Sequence, residues 1–267
     1  MRNPDGGWPY YAGKTSRLEP TCWALLALQA AGEKASLDVL QQWPRSEGWF
    51  VDRSSDAVNV AFNGLAAFTL CALRAGPEVT QPVVRQLLAF KGEKYPQSSH
   101  YRQNNSLQGW SWVSGTFSWI EPTAWAVLAL KKLRVSEARA RLDEAERLLA
   151  DRVCKGGGWN FGNSNVLGQE LGPYVPTTAL TLLSLSDRAD APHVRSSVEY
   201  LWSHRLDERS GPALALSAIA LDIYGRDPKD ALEMLRHEWT RTAFVGNICT
   251  LAIACCALTG SHEVFRL

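Results

Sequence analysis

The chain has 267 residues, 46% of them hydrophobic and 21% charged, with a formal net charge of +1. That length and apolar content allow a sizeable buried core, in one large domain or two small ones. The near-neutral balance excludes an electrostatically driven nucleic-acid binder, and the longest apolar run, 248–258, is too short to span a bilayer.

Six small and apolar segments recur along the chain, at 18–30, 57–75, 121–134, 175–187, 210–225 and 242–260. Each is apolar nearly all round, the pattern of helices buried on more than one side. The first contains Glu19-Pro20-Thr21-Cys22-Trp23-Ala24-Leu25-Leu26-Ala27-Leu28, and the third contains Glu121-Pro122-Thr123-Ala124-Trp125-Ala126-Val127-Leu128-Ala129-Leu130. The shared unit Glu-Pro-Thr-x-Trp-Ala-x-Leu-Ala-Leu marks an internal repeat. A proline at the first helical position is expected to open each helix. Alignment on the final leucines puts Gly64, Pro176, Pro212 and Cys249 in the glutamate position of the other copies.

More polar, amphipathic segments lie between, at 36–43, 80–91, 136–153, 191–204 and 228–239. Thr80 and Ser136 have the character of helix starts. Buried and half-buried helices thus alternate, and six inner copies predict closure into a ring. The expected fold is an all-α, single-domain α/α toroid over 1–267, with six inner and five or six outer helices and a central apolar cavity. Long Gly/Trp-rich links at 5–17, 44–56, 94–119 and 155–174 precede the first four inner helices. In a ring of parallel inner helices these links gather at one rim, where function is expected.

Glycine-rich Trp turns followed by Thr-x-Trp-Ala helices resemble the repeat of the prenyltransferase and squalene-cyclase family. The resemblance covers nearly the whole chain. It implies the α6–α6 toroid and, in members that are enzymes, an isoprenoid chain bound in the central cavity. The Asp-x-Asp-Asp acid motif of the cyclases and the Cys-Gly-Glu-Gln motif of thioester domains do not occur here. The zinc-bound Asp, Cys and His of the prenyltransferases cannot be placed. Gly6-Gly7-Trp8 and Gly157-Gly158-Trp159 lack the family's preceding glutamine, and Asp5-Gly6-Gly7-Trp8-Pro9 is also similar to a motif of some α/α pectate lyases.

The candidate catalytic residues are Glu121 and Glu19. Each shares a helix face with the tryptophan four residues on, Trp125 and Trp23. Two readings stand: cavity carboxylates serving as an acid/base pair or stabilising a cation, or helix-dipole partners. The dipole favours the charged form and would lower the pKa of each carboxyl. Trp23, Trp125, Trp112, Trp119, Tyr10 and Tyr11 are the candidate ligand-binding wall. Trp8, Trp110 and Trp159 recur with the repeat and read as clamps on their turns. His100 reads as a loop histidine and Cys249 as a small buried residue or a rim thiol. Lys14, Arg17, Arg102 and Lys155 are rim cations in reach of an anion such as a diphosphate at helix N-termini.

No His/Cys pair has zinc spacing, so no metal site is expected and no cofactor is assigned. Six cysteines without Cys-x-x-Cys, and a start that runs straight into a turn without a signal-peptide pattern, point to reduced thiols and a cytoplasmic protein. The expected partner is a hydrophobic or isoprenoid small molecule, handled by a terpene-cyclase-like or prenyltransferase-like enzyme. The alternative is a non-catalytic toroid binding a lipid or peptide; a polysaccharide lyase fits less well. The apolar last helix is a candidate for peripheral contact with a membrane surface or with a second subunit, while the oligomeric state is open.

Overall fold

The computed structural model describes residues 2–53, 55–100, 102–260 and 262–267. Among these, eleven α-helices alternate between two layers. The inner layer is α1 (Leu18–Ala30), α3 (Val60–Ala72), α5 (Ile120–Lys132), α7 (Val175–Ser184), α9 (Gly211–Ile223) and α11 (Ile248–Leu258). The outer layer is α2 (Asp38–Gln41), α4 (Pro77–Ala89), α6 (Arg139–Asp151), α8 (Pro192–His204) and α10 (Lys229–Thr242). Each inner helix packs on the next, and α11 packs back on α1, so the ring closes. The strands are two short antiparallel hairpins, β1 (Arg45–Ser46) with β2 (Trp49–Phe50) and β3 (Asn165–Val166) with β4 (Gln169–Glu170), both within the long links.

The inner helices have hydrophobic residues on every side because both faces are covered. In α5 every residue from Pro122 to Leu130 is buried. The outer helices are one-sided: α6 buries Ala145, Leu148 and Leu149 and leaves Arg139, Asp143 and Arg147 exposed. Helices α1 and α5 begin two residues before Pro20 and Pro122, at Leu18 and Ile120. Proline is still tolerated there, because the first four helical N–H groups have no partner within the helix.

Some expectations from the sequence need correction. The first outer segment is one turn, α2, rather than a full helix. Helix α4 starts at Pro77 with Gly76 before it, so Thr80 lies inside and its hydroxyl donates to the Gly76 carbonyl at 3.1 Å. Counted from the helix starts, the residue matching Glu19 in the second copy is Ala61, not Gly64; the leucine alignment slipped by a turn. Gly64 serves another purpose, since a Cβ there would stand 2.9 Å from Trp125 Cβ where α3 meets α5. Helix α11, the proposed membrane-contact element, spends its apolar faces on α1 and α9 and leaves Cys255 exposed. No helix among the described residues is long and apolar enough to cross a membrane.

The repeat is held by one recurring device. The Trp8 N–H donates to Thr21 Oγ1 at 2.9 Å, Trp110 to Thr123 at 3.0 Å, and Trp159 to Thr178 at 2.9 Å. Each hydroxyl donates back to the carbonyl of the same tryptophan. In the second copy Asn63 makes the same double contact with Phe50. The Trp110 and Trp159 indoles are fully buried and donate to Leu87 and Leu149 carbonyls on the outer helices. These tryptophans are clamps, as their recurrence suggested. At Gly109, a Cβ would stand 2.4 Å from Thr123 Oγ1, so the clamp needs glycine there.

A second recurring bond joins neighbours around the rim. The first N–H of α3 donates to the Trp112 carbonyl at 2.9 Å, that of α5 to Phe161 at 2.9 Å, and that of α11 to Tyr10 at 2.8 Å. The last of these seals the ring between the final helix and the first link.

The axis of the ring is filled. Trp23 and Trp125 meet edge to face with ring centroids 5.6 Å apart. Phe265, from the segment after α11, stacks on Phe68 at 5.4 Å and lies 6.2 Å from Trp23. That segment is tied below the ring by His262, between Asp222 and the Ala257 carbonyl, and by Lys132 Nζ on the Arg266 carbonyl at 2.6 Å. The expected open central cavity is therefore replaced at this level by an aromatic core.

Candidate functional site

Glu19 and Glu121 occupy the same position in the first turns of α1 and α5, so both carboxyls reach the mouth of the ring on its loop side. Each is partly accessible although its surroundings are apolar. The Tyr10 hydroxyl donates to Glu19 Oε2, and the Cys249 thiol also hydrogen-bonds Glu19. Among the described residues, the side-chain donor to Glu121 is Trp125, one turn further along its own helix.

This asymmetry separates the two acids. Burial raises both pKa values, because a buried carboxylate loses its hydration. Two donors offset part of that for Glu19. Glu121 has one donor and feels the Glu19 charge, and its pKa rises to about 7. The expected lowering by the helix dipole is thus reversed: desolvation and a like charge outweigh a dipole effect that is typically about 0.3–1 kcal/mol. Near neutral pH Glu121 therefore holds a proton far more readily than an ordinary carboxyl, and its titration is coupled to the Glu19 charge. Burial also pushes the Tyr10 phenol and the Cys249 thiol up, with the Glu19 charge adding to both, so both stay protonated as donors.

The candidate wall residues divide. Trp23 and Trp125 are 2% and 3% exposed and packed against aromatic neighbours, so they form the floor beneath the carboxyls rather than an open wall. Tyr10 lines a pocket of about 250 Å³ at the mouth, with Arg17, Leu18, Phe62 and Val113. Trp112 supports it from behind, edge to face on Phe62 at 6.2 Å. An Arg17–Asp52 ion pair stands at its edge. Tyr11 lies outside, 47% exposed, with its hydroxyl accepting from Asn247 at 3.3 Å. Trp119 turns away, stacked on Phe117 at 4.6 Å. The structure therefore gathers Glu19, Glu121, Tyr10, Trp23, Trp125 and Cys249 and leaves out Tyr11 and Trp119.

One feature was missed in the sequence although its signal is there. Tyr10, Trp112 and Phe161 sit at matched positions, two residues after Trp8, Trp110 and Trp159. Trp-x-aromatic recurs, so Tyr10 and Trp112 belong to the repeat rather than departing from it. Cys249 falls in the glutamate register of the last copy, which is why it meets Glu19 across the closed ring.

No family model matches this sequence, and no curated protein is similar to it. Solved structures do match in shape. The chain superposes on a reducing-end-xylose releasing exo-oligoxylanase with a TM-score of 0.65 at 12% identity, covering 100% of this chain and 88% of that one. It matches the type II terpene cyclase MstE from Scytonema with a TM-score of 0.57 at 14% identity, covering 98% and 94%. It matches protein geranylgeranyltransferase-I of Candida albicans, solved with GGPP, with a TM-score of 0.51 at 19% identity. There it covers 73% of this chain and 55% of that one, so it spans about half of that enzyme chain. The chain has the α/α-toroid fold that these terpene cyclases and prenyltransferases share with glycoside-processing enzymes. At such identities the likeness carries the fold alone.

Proposed function

We propose that the loop-side mouth of the ring binds an apolar ligand of isoprenoid type, with Glu121 as proton donor and Glu19 as its anionic partner. The observation that supports this is the environment of Glu121. It is a carboxyl in an aromatic-floored mouth, with its pKa lifted to about 7 by burial and by the Glu19 charge. A general acid works best with a pKa near the working pH, and pairs of carboxyls pushed apart by their surroundings divide into acid and base. An acid of this strength is too weak to protonate a bare alkene. It suits proton transfer to an oxygen carried by the ligand, as in an epoxide or an allylic ether.

The filled axis limits the ligand to the mouth. A pocket of about 250 Å³ beside Tyr10 and Phe62 suits a short prenyl unit better than a long folded chain. The test incubates the protein with dimethylallyl, geranyl and farnesyl diphosphate and with the epoxide of a short prenyl alcohol, with and without Mg²⁺. Binding is read by tryptophan fluorescence and products by mass spectrometry. Saturable binding with turnover that disappears in Glu121→Gln supports the proposal. Binding without product points to the non-catalytic alternative, and no binding at all rejects both.

A further inference from the structure

We infer that the chain carries a second, separate binding site, for a neutral mono- or disaccharide, in the pocket between the third and fourth long links. This pocket has a volume of about 310 Å³ and shares no lining residue with the mouth pocket. Its apolar wall is Phe117, with Tyr95 edge to face on it at 5.9 Å and Trp119 stacked behind at 4.6 Å. Its polar lining includes Gln103, Asn105, Asn163, Glu93 and Arg152.

The decisive residue is Gln103. Its side chain is buried, with 9% of the residue exposed, and its Nε2 donates to Asn163 Oδ1 at 2.7 Å. Its Oε1 has no hydrogen-bond partner among the described residues. Turning both amides over exchanges donor for acceptor but still leaves one polar atom of Gln103 unmatched. A buried polar group without a partner is costly, and because Gln103 lines the pocket, a ligand hydroxyl supplies the missing bond once the amide turns toward it.

The surrounding charges restrict that ligand. Arg152 is already neutralised by Asp151 and donates to the Asn104 carbonyl at 3.2 Å, so it offers little to an anion. Glu93 adds a negative charge at the edge, which further disfavours an anion. A purely apolar ligand would leave Gln103 stranded. A sugar ring meets both demands. Its C–H face packs on Phe117 and Tyr95, and its hydroxyls donate and accept at the three amides. The loop is already braced for this: Gln97 Nε2 donates to the Gln103 carbonyl at 2.9 Å, Asn105 Nδ2 to the Pro96 carbonyl at 3.1 Å, and the Glu93 N–H to the Thr116 carbonyl at 2.9 Å. Little ordering remains to oppose binding.

The test titrates cellobiose, xylobiose and maltose into the full chain, followed by saturation-transfer NMR and calorimetry. At least one disaccharide is expected to bind saturably. Tyr95→Ala alters a residue 48% exposed, and is expected to weaken binding by about tenfold with the unfolding midpoint unchanged. Gln103→Leu is expected to lose binding similarly. Glu121→Gln, which does not line this pocket, is expected to bind the sugar as the unaltered chain does. Absence of saturable binding to all three sugars overturns the inference. So does binding that survives Tyr95→Ala, or binding lost in Glu121→Gln.

Discussion

Replacing Phe265 with alanine removes the ring that plugs the axis of the toroid. Phe265 is fully buried, stacked on Phe68 and next to Trp23, in a core walled by α1, α3 and α5. Large-to-small changes of this type cost about 3–5 kcal/mol, and more where the surroundings cannot collapse into the gap. Here α1, α3 and α5 are each clamped to their links within a closed ring, so the upper part of that range applies. For a chain of this size each kcal/mol moves the melting temperature by roughly 2–4 °C, giving a drop of roughly 10–15 °C for Phe265→Ala. Calorimetry and urea denaturation read the change, and the denaturant slope should stay unaltered because the fold is kept. A drop below about 2 °C would mean that the segment after α11 is only loosely associated, and would refute the filled axis. Farnesol binding to the variant should rise, because the substitution opens an apolar void on the axis.

Thr123→Val keeps the shape but removes a hydroxyl that both accepts from the Trp110 N–H and donates to its carbonyl. The buried Trp110 N–H loses its partner while the carbonyl keeps the Trp119 N–H, so a loss of about 1–3 kcal/mol is expected in urea denaturation; a neutral result would remove the clamp. Glu121→Gln should change stability with a definite sign. The folded pKa of about 7 lies above the ordinary 4.5, so the folded state holds a proton that the unfolded state releases, and stability falls as pH rises from 4.5 through 7. The variant should match the unaltered chain near pH 4 and exceed it near pH 8 by on the order of 3 kcal/mol, compared by thermal melts at both pH values. A pure helix-dipole partner gives the opposite outcome, a loss of about 0.3–1 kcal/mol at pH 8.

Much of this fold was legible because its repeats are literal. Glu-Pro-Thr-x-Trp announces α1 and α5, all-round apolarity announces the inner layer, and the Gly/Trp links announce the loop-side rim. The slip from Ala61 to Gly64 arose because the second copy carries Asn63 and Phe50 in place of threonine and tryptophan, so only the leucines were left to align. The Phe265 plug could not be foreseen, since a lone phenylalanine after the last helix carries no period. The direction of the Glu121 pKa was misread for a physical reason. Position in the first helical turn is visible in sequence, but desolvation and the approach of Glu19 across the ring exist only once the ring has closed. Trp119 and Tyr11 lie away from the mouth pocket for the same kind of reason: aromatic character is written in the sequence, while the direction in which a rim loop turns is not.

The carboxyl titration of Glu121 tests the central claim most directly. Carbon-13 NMR of the side-chain carboxyls, assigned through Glu121→Gln, should give Glu121 a midpoint near 7, and Glu19→Gln should lower it by removing the neighbouring charge. A midpoint at the ordinary 4.5, or one indifferent to Glu19→Gln, would show two separate helix-end carboxylates and no acid poised at the mouth.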